Sequence, residues 1–78
     1  MVKHSDIPDE TQFIGRAVVE KMTNLSKTQI YALIQQNKFP RQVRLGERSV
    51  AWVLSEIIQW IEDRKRDRDN KFQHRGFQ

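Results

Sequence analysis

Hydrophobic side chains recur at helical spacing in three segments of this chain. In the first, Ile14, Val18 and Met22 lie four residues apart, with Val19 beside them. This spacing places them on one side of a helix, so the pattern predicts a short helix from about Arg16 to Thr23 with a single apolar stripe.

The second segment, LSKTQIYALI, has a clear helix start. Ser26 is a good N-cap, and Gln29 three residues later completes the S-x-x-Q capping-box pattern. Asn37 is a suitable stop, and Pro40 cannot continue a helix. We therefore expect a second helix over about residues 27–36.

The next segment alternates between apolar and polar positions. Val43 and Leu45 are separated by polar residues, residues 46–48 have turn chemistry, and Val50 and Trp52 fall on one side of a second run. This pattern predicts a two-stranded hairpin.

A third helix follows. Ser55 can cap it, and its buried stripe would consist of Ile57, Ile58, Trp60 and Ile61. The spacing of Trp52 and Trp60 favours a place in the core over a role as base-stacking platforms. Beyond Arg64 the apolar periodicity ends, so we expect the helix to fray into a charged tail.

Charge is distributed unevenly. The net charge is +4, yet residues 21–46 contain five basic residues and no acid, whereas the first fifteen residues contain three acids and one lysine. From residue 64 onward there are six basic and two acidic residues. Such asymmetry favours a polyanionic partner. The competing interpretation is a surface made basic for solubility.

The outward face of the second helix is polar and uncharged. At about 100° per residue, Thr28, Ala32 and Gln35 point away from Ile30. Gln can pair with adenine in two hydrogen bonds, and Thr or Ala can contact a thymine methyl. The predicted contacts to DNA bases are Thr28, Gln29, Ala32 and Gln35. Gln29 also has the competing task of capping, and an ordinary solvated helix is the alternative for the whole face.

Basic residues around this helix suit contact with the DNA backbone. The predicted backbone or wing contacts are Lys27, Tyr31, Lys38, Arg41, Arg44 and Arg48. Tyr31 either supports the edge of the core or contacts a phosphate. Arginines on a hairpin also have a simpler explanation, because charge on an exposed edge discourages strand aggregation.

Together these elements predict a mainly α fold with a small β-hairpin. The first two helices are joined by residues 24–26, a helix-turn-helix arrangement, and the hairpin forms a two-stranded antiparallel wing between helices 2 and 3. Asn24 suits the left-handed conformation of the turn. We expect a flexible leader over residues 1–12, a winged helix-turn-helix DNA-binding domain over 13–64 and a basic flexible C-terminal tail over 65–78.

Catalysis and metal binding are not indicated. His4 and His74 lie in opposite ends of the chain, and the sequence has no cysteine and no Gly-rich phosphate loop. We expect neither enzymatic activity nor a cofactor. No apolar run is long enough to span a bilayer, and the N-terminus lacks the apolar segment of a signal peptide. These features favour a soluble, cytoplasmic protein.

The sequence resembles the AlpA-type prophage regulators over about residues 14–63. The resemblance rests on L-S-x-x-x-I-Y at the start of the second helix, F-P before the hairpin, L-G-x-R in its turn, and S-E-I after Trp52 and before Trp60. Asn24 and Ala51 depart from the glycines usual or frequent at these positions in the family. Asn fills the same backbone role, and Ala51 is expected to tighten the wing slightly.

This resemblance implies a winged helix-turn-helix fold related to excisionases and to the DNA-binding part of the MerR group. It implies binding to promoter or attachment-site DNA in the bacterial cytoplasm or nucleoid. Activation of an integrase or excision gene and an architectural role in excision are both open. So is a third possibility, a protein-interaction module for RNA polymerase, an integrase or a repressor. No long heptad exists, so we expect a monomer or a weak assembly on repeated sites.

Overall fold

The computed structural model describes residues 11–75 of the 78-residue chain, and the side chains of residues 11–71. Its elements, in chain order, are β1 (Phe13–Ile14), α1 (Arg16–Thr23), α2 (Lys27–Gln35), β2 (Val43–Arg44), β3 (Val50–Val53) and α3 (Leu54–Arg75). The mainly helical fold with a small β-hairpin is confirmed. The first ten residues of the expected leader lie outside the described part of the chain.

The sheet has three strands in the order β1-β3-β2, all antiparallel, where the sequence predicted two. Phe13 pairs with Val53 and Ile14 with Trp52, and the backbone N–H of Leu54 donates to the carbonyl of Gln12 at 2.8 Å. Residue 12, placed in the leader by the sequence pattern, is therefore bound to the first residue of α3. A two-residue strand leaves too little alternation in the sequence to be recognised.

The core is a small cluster of buried apolar residues contributed by the three helices, β3 and the segment after α2: Val19, Ile30, Phe39, Trp52 and Ile57. Trp52 is fully buried and its Nε1 donates to the carbonyl of Pro40 at 3.0 Å. Trp60 packs against the cluster with its ring centroid 4.9 Å from that of Phe39. The prediction that both tryptophans belong to the core is confirmed.

The predicted bounds of the first helix are confirmed, but its predicted apolar stripe is correct only for Val19 and Ile14, which reach the core. Ile14 belongs to β1, whereas Val18 and Met22 are 45% and 37% exposed, and Val19 is the residue that is fully buried. Helical spacing identified the set of apolar positions, but it did not determine which member faces the core. That choice depends on where β3 and α2 lie, which periodicity does not specify.

The hairpin is also shorter than predicted. Leu45 is 50% exposed and Val50 is 36% exposed, so neither is an inward residue, while Val43 is half-buried. The turn is closed by hydrogen bonds from the N–H groups of Leu45 and Gly46 to the carbonyl of Ser49, at 2.7 and 3.2 Å.

Helix α3 starts earlier and ends later than the sequence predicted. It begins at Leu54, directly after β3, so Ser55 lies in its first turn and not at the N-cap. It continues to Arg75 where a frayed tail was expected after Arg64. Pairs at i,i+3 spacing join basic and acidic side chains along this segment, and such pairs support a helix that has no apolar stripe.

Candidate nucleic-acid interface

The outward face of α2 has the composition that its sequence predicted. Ile30 is fully buried and Leu33 and Ile34 pack against the core, so the helix is fixed by one side. The opposite side chains, Thr28, Ala32 and Gln35, are exposed. No acidic residue occurs within α2, and the three side chains of this face are uncharged.

The N-terminus of α2 is held by a complete capping box. The Ser26 hydroxyl accepts from the backbone N–H of Gln29 at 3.2 Å, and Gln29 Oε1 accepts from the backbone N–H of Ser26 at 2.9 Å. The side-chain oxygen of Gln29 thus accepts a hydrogen bond within the protein. The side-chain Nε2 remains as the donor able to contact a base. Of its two predicted roles, capping is the one that the fold displays.

Tyr31 lies at the edge of the core. Its ring is half-buried and tilted by 59° against Trp52, with ring centroids 6.2 Å apart. Its ring therefore supports the position of α2 on the sheet. Contact between its hydroxyl and a phosphate remains a prediction.

The end of α2 positions the next basic residues. Asn37 has a φ of 60°, the N–H of Lys38 donates to the carbonyl of Leu33 at 2.8 Å, and the N–H of Asn37 donates to that of Ile34 at 3.0 Å. These bonds form a Schellman motif, which reverses the chain direction after the helix. The side chain of Arg41 then donates to Asn37 Oδ1 at 3.0 Å.

The turn between β2 and β3 carries two arginines in different settings. Arg44 folds over the turn, where its guanidinium donates to the carbonyls of Gly46 and Glu47, both at 3.4 Å. Arg48 is exposed at the tip, and no hydrogen bond or ion pair of its side chain occurs among the described residues. Long bonds to exposed carbonyls are weak, so both guanidinium groups remain accessible to an anion.

Positive charge is segregated on this surface. Within residues 11–71 the ion pairs lie on α1 (Arg16–Glu20) and α3. The basic side chains that surround α2 and the turn have no ion-pair partner among the residues described, and we call this set the basic face: Lys27, Lys38, Arg41, Arg44 and Arg48. Glu47 is the single acid between Lys21 and Arg48 in the sequence.

An open groove of about 1000 Å³ separates the segment after α2 from α3. Its lining includes three cations, Lys38, Arg41 and Arg64, and two carboxylates, Glu56 and Asp63. Hydrogen bonding from Gln59 at 2.9 Å, together with Arg66 at 2.9 Å, lowers the pKa of the Asp63 carboxyl below its ordinary value of 3.8. Asp63 is consequently ionised at neutral pH, and the groove contains charges of both signs.

Arg64 is the residue at which the sequence pattern predicted the folded domain to end. Its guanidinium lies 5.5 Å from the centroid of the Trp60 ring, and the Nε1 of Trp60 donates to the carbonyl of Lys38 at 2.8 Å. This chain of contacts joins α3 to the basic face. The i,i+4 spacing of Trp60 and Arg64 was visible in the sequence and is the signal that could have indicated it.

Neither a metal site nor a membrane span is found in the described part of the chain. No group of three or more His, Asp or Glu side chains there is arranged to hold a metal ion. None of the helices described is both long and apolar enough to cross a membrane.

Two helices joined by a three-residue turn, followed by a short strand pair and backed by a long helix, define a small winged-helix protein with a basic face. The family model described as Prophage CP4-57 regulatory protein (AlpA) matches residues 12–65, more than half of the chain. The protein therefore belongs to the AlpA family of prophage regulatory proteins.

A relative from Enterobacteria phage P4 is similar over most of the same region. It is named uncharacterized protein ORF88, and it is 42% identical over 60 residues, which cover 74% of this chain and 68% of the relative. The family assignment agrees with the resemblance recognised from the sequence motifs.

Proposed function

We propose that this protein is a sequence-specific regulator that binds double-stranded DNA in a prophage or another integrated element. Helix α2 is the recognition helix and enters the major groove. The hairpin of β2 and β3 is the wing, and its arginines contact the phosphate backbone or the adjacent minor groove. AlpA membership supports the regulatory part of this proposal.

The observation that carries the proposal is the separation of charge. Basic side chains on the basic face lack ion-pair partners in the part of the chain described, while those of α3 are largely paired with neighbouring acids. A surface made basic only for solubility would need no such separation. A duplex presents closely spaced phosphates, and cations that are not already paired neutralise them at the lowest cost.

Base recognition falls to the exposed face of α2. Gln35 can form two hydrogen bonds with adenine, and Thr28 and Ala32 can contact a thymine methyl. A carboxylate on this face would meet the phosphates on either side of the groove, which explains why α2 contains no acid. Gln29 contributes at most its amide Nε2, because its oxygen completes the capping box.

Backbone contacts surround this face. Lys27 stands in the first turn of α2, Lys38 and Arg41 follow its C-terminus, and Arg44 and Arg48 belong to the wing. Each is exposed. Such contacts fix orientation and register on the duplex without reading its sequence.

The experiment compares specific and non-specific affinity in three variants. Gln35→Ala is expected to lower the preference for the specific site by about 1–3 kcal/mol, because it removes a contact to a base edge. Arg48→Ala is expected to weaken all duplexes alike and to lower the slope of log affinity against log salt by about 1. Duplexes tiled across the DNA that flanks the gene itself serve as probes.

Arg66→Ala is the matched control for Arg48→Ala. It removes the same charge from α3, where Arg66 is paired with Asp63 at 2.9 Å. An equal loss of affinity in both arginine variants would mean that net charge alone governs binding. Absence of duplex binding even at low salt would refute the proposal, and a protein-interaction module for polymerase, integrase or repressor would then be the better explanation.

Footprinting on the same tiled DNA separates two roles within the proposal. Protection at a promoter is expected for a transcriptional regulator. Protected direct repeats beside an integration site would instead indicate an excisionase-like factor that directs recombination, which uses the same protein surface. Sedimentation of the protein with and without this DNA tests the expected monomer or weak assembly on repeated sites.

A further inference from the structure

The side of α3 that packs on the core changes from apolar to basic where the helix extends past the rest of the folded protein, which we call the body. Ile57 is fully buried, and Trp60 and Ile61 pack against the core cluster. At about 100° per residue, Ile57 lies about 20°, Trp60 about 40° and Ile61 about 60° around the helix from Arg64. Arg64 therefore stands on the face of α3 that packs on the body.

Beyond that point the same face is basic. Arg68 and Lys71 fall within about 40° and about 20° of Arg64 around the helix. All residues from Arg64 to Lys71 are exposed, so this part of α3 has left the core behind. We call Arg64, Arg68 and Lys71 the α3 stripe, and it extends along about 10 Å of helix at 1.5 Å per residue.

Acidic side chains in the same part of α3 lie off the stripe. Asp67 and Asp69 are about 60° and about 140° away from Arg64, and Asp63 and Glu62 are about 100° and about 160° away. Each stripe arginine has one acid beside it, Asp67 at 2.6 Å from Arg64 and Asp69 at 2.9 Å from Arg68. Exposed pairs of this kind contribute about 0–1 kcal/mol, so they yield readily to a phosphate.

The stripe is continuous with the basic face. Trp60 bonds to the carbonyl of Lys38, and Arg64 lines the same groove as Lys38 and Arg41. The cations beyond the body therefore stand on the side of α3 that faces the body and the groove lined by Lys38 and Arg41. Three of the five basic residues from position 64 to 71 stand on this face, whereas Lys65 and Arg66 stand on other sides of the helix.

We propose that the α3 stripe binds the phosphate backbone of DNA beyond the segment read by α2, which lengthens the footprint of the protein. This inference rests on the proposed function and adds a second contact region to it. The occupant is DNA and not an acidic protein, because the stripe continues a surface of unpaired cations and contains no apolar anchor that a protein partner would need.

The test uses two double variants of the full chain that remove the same charges. The stripe variant, Arg68→Gln/Lys71→Gln, removes one arginine and one lysine from the stripe. The control variant, Lys65→Gln/Arg66→Gln, removes one lysine and one arginine that lie about 100° and about 200° round the helix from Arg64. Glutamine forms helices well, so α3 is retained in both, as circular dichroism would verify. Arg64 is left intact because it also packs on Trp60.

Both variants are titrated with two duplexes, one limited to the base pairs that the stripe variant protects and one longer by about 10 base pairs, a single helical turn, at each end. On the longer duplex the stripe variant is expected to lose about 2 from the salt slope. The ratio of the affinity at 50 mM salt to the affinity at 200 mM salt is then roughly tenfold smaller for the stripe variant than for wild type. On the shorter duplex the stripe variant and wild type should differ little.

Three outcomes would overturn the inference: equal losses in the two double variants, no loss in either, or a loss as large on the shorter duplex. If wild type bound no duplex at all, the proposed function would fail. If it bound duplexes but both variants matched it, the α3 contact alone would fail. If wild type bound an acidic peptide and its affinity for DNA did not depend on duplex length, the stripe would be assigned to a protein partner instead.

Discussion

At the scale of single residues, two asparagines determine the path of the chain around α2. Asn24 has a φ of 61° and Asn37 a φ of 60°, and they are the non-glycine residues with positive φ in the described part of the chain. Asn tolerates this left-handed region because its short polar side chain can bond locally, whereas most side chains meet the backbone there. The sequence prediction for Asn24 is confirmed, and the stop expected at Asn37 has the same physical cause.

We expect Asn24→Ala to destabilise the fold by about 1 kcal/mol. At positive φ the Cβ atom is close to the backbone, and Ala lacks the polar group with which Asn compensates for this strain. Asn24→Gly should be close to neutral, since glycine enters this region without steric cost. Urea denaturation of the two variants and wild type measures the difference. Equal stability of the Ala and Asn proteins would mean that the turn relaxes to another conformation.

The Asp63 carboxyl offers a prediction about pH. Its pKa is lowered by the hydrogen bond from Gln59 and then by Arg66, so the ionised form is favoured in the folded state. A lowered folded pKa contributes stability above the unfolded value, and that contribution is lost as pH falls through the folded pKa. We expect Gln59→Ala to raise the pKa of Asp63 toward 3.8, as measured by NMR titration of its carboxyl carbon.

Arg68→Gln, which leaves the bond from Gln59 intact, is the control for that titration. An unchanged Asp63 pKa in Gln59→Ala would show that the amide does not hold the carboxylate.

At the scale of elements, the capping box connects stability with the proposed binding face. Ser26 and Gln29 satisfy two backbone N–H groups at the start of α2, and loss of such a cap costs about 1 kcal/mol. Ser26 also stands beside Lys27, where a duplex would approach. A substitution here can therefore separate folding from binding.

Ser26→Ala is expected to lower the free energy of unfolding by about 1 kcal/mol, because it removes the acceptor for the Gln29 N–H. Ser26→Asp should keep the stability of wild type, since Asp caps well and its charge suits the helix N-terminus. The Asp variant should nevertheless bind duplex DNA more weakly than wild type, because its carboxylate would face phosphates. Denaturation midpoints and duplex affinity, measured on both variants, test the two effects separately. Wild-type affinity in Ser26→Asp would place this end of α2 away from the DNA.

Sequence patterns predicted the elements with strong local signals and missed those set by their surroundings. The capping box and the apolar side of α2 were readable because they depend on residues within one or two turns. The burial of Val19 in place of Val18 and Met22, and the pairing of β1 with β3, depend on contacts far apart in the chain. The continuation of α3 was missed because charge pairs, and not an apolar stripe, accompany it.

The same distinction applies to the candidate site. Thr28, Ala32 and Gln35 could be chosen from helical periodicity alone, and their exposure agrees with that choice. The sequence predicted capping as one of two alternatives for Gln29, and in the folded protein its Oε1 accepts from the backbone N–H of Ser26. Contact between DNA and the basic segment after Arg64 was one alternative that the sequence left open, but the α3 stripe could not be defined from it, because the segment was expected to fray.

At the scale of the whole molecule, a small core is coupled to a surface of unpaired charge. Five buried residues form the core cluster in the described part of this 78-residue chain, and domains of this size are only marginally stable. Repulsion among the cations of the basic face opposes folding, because they have no ion-pair partners in the described part of the chain. A bound polyanion would relieve that repulsion and stabilise the folded state.

We therefore expect duplex DNA to raise the melting temperature substantially. At a DNA concentration of about 100 times Kd the folded state gains about 2.7 kcal/mol, which corresponds to roughly 10–20 °C for a domain of this size. The gain should shrink steeply as salt is raised at fixed DNA concentration, because counterion release weakens binding. Melting curves with and without duplex, at low and high salt, measure both effects, and Arg48→Ala should show a smaller gain than Arg66→Ala at the same DNA concentration. A gain that persisted unchanged at high salt would contradict an interface formed by the basic face, because contacts between exposed cations and phosphates are screened under those conditions.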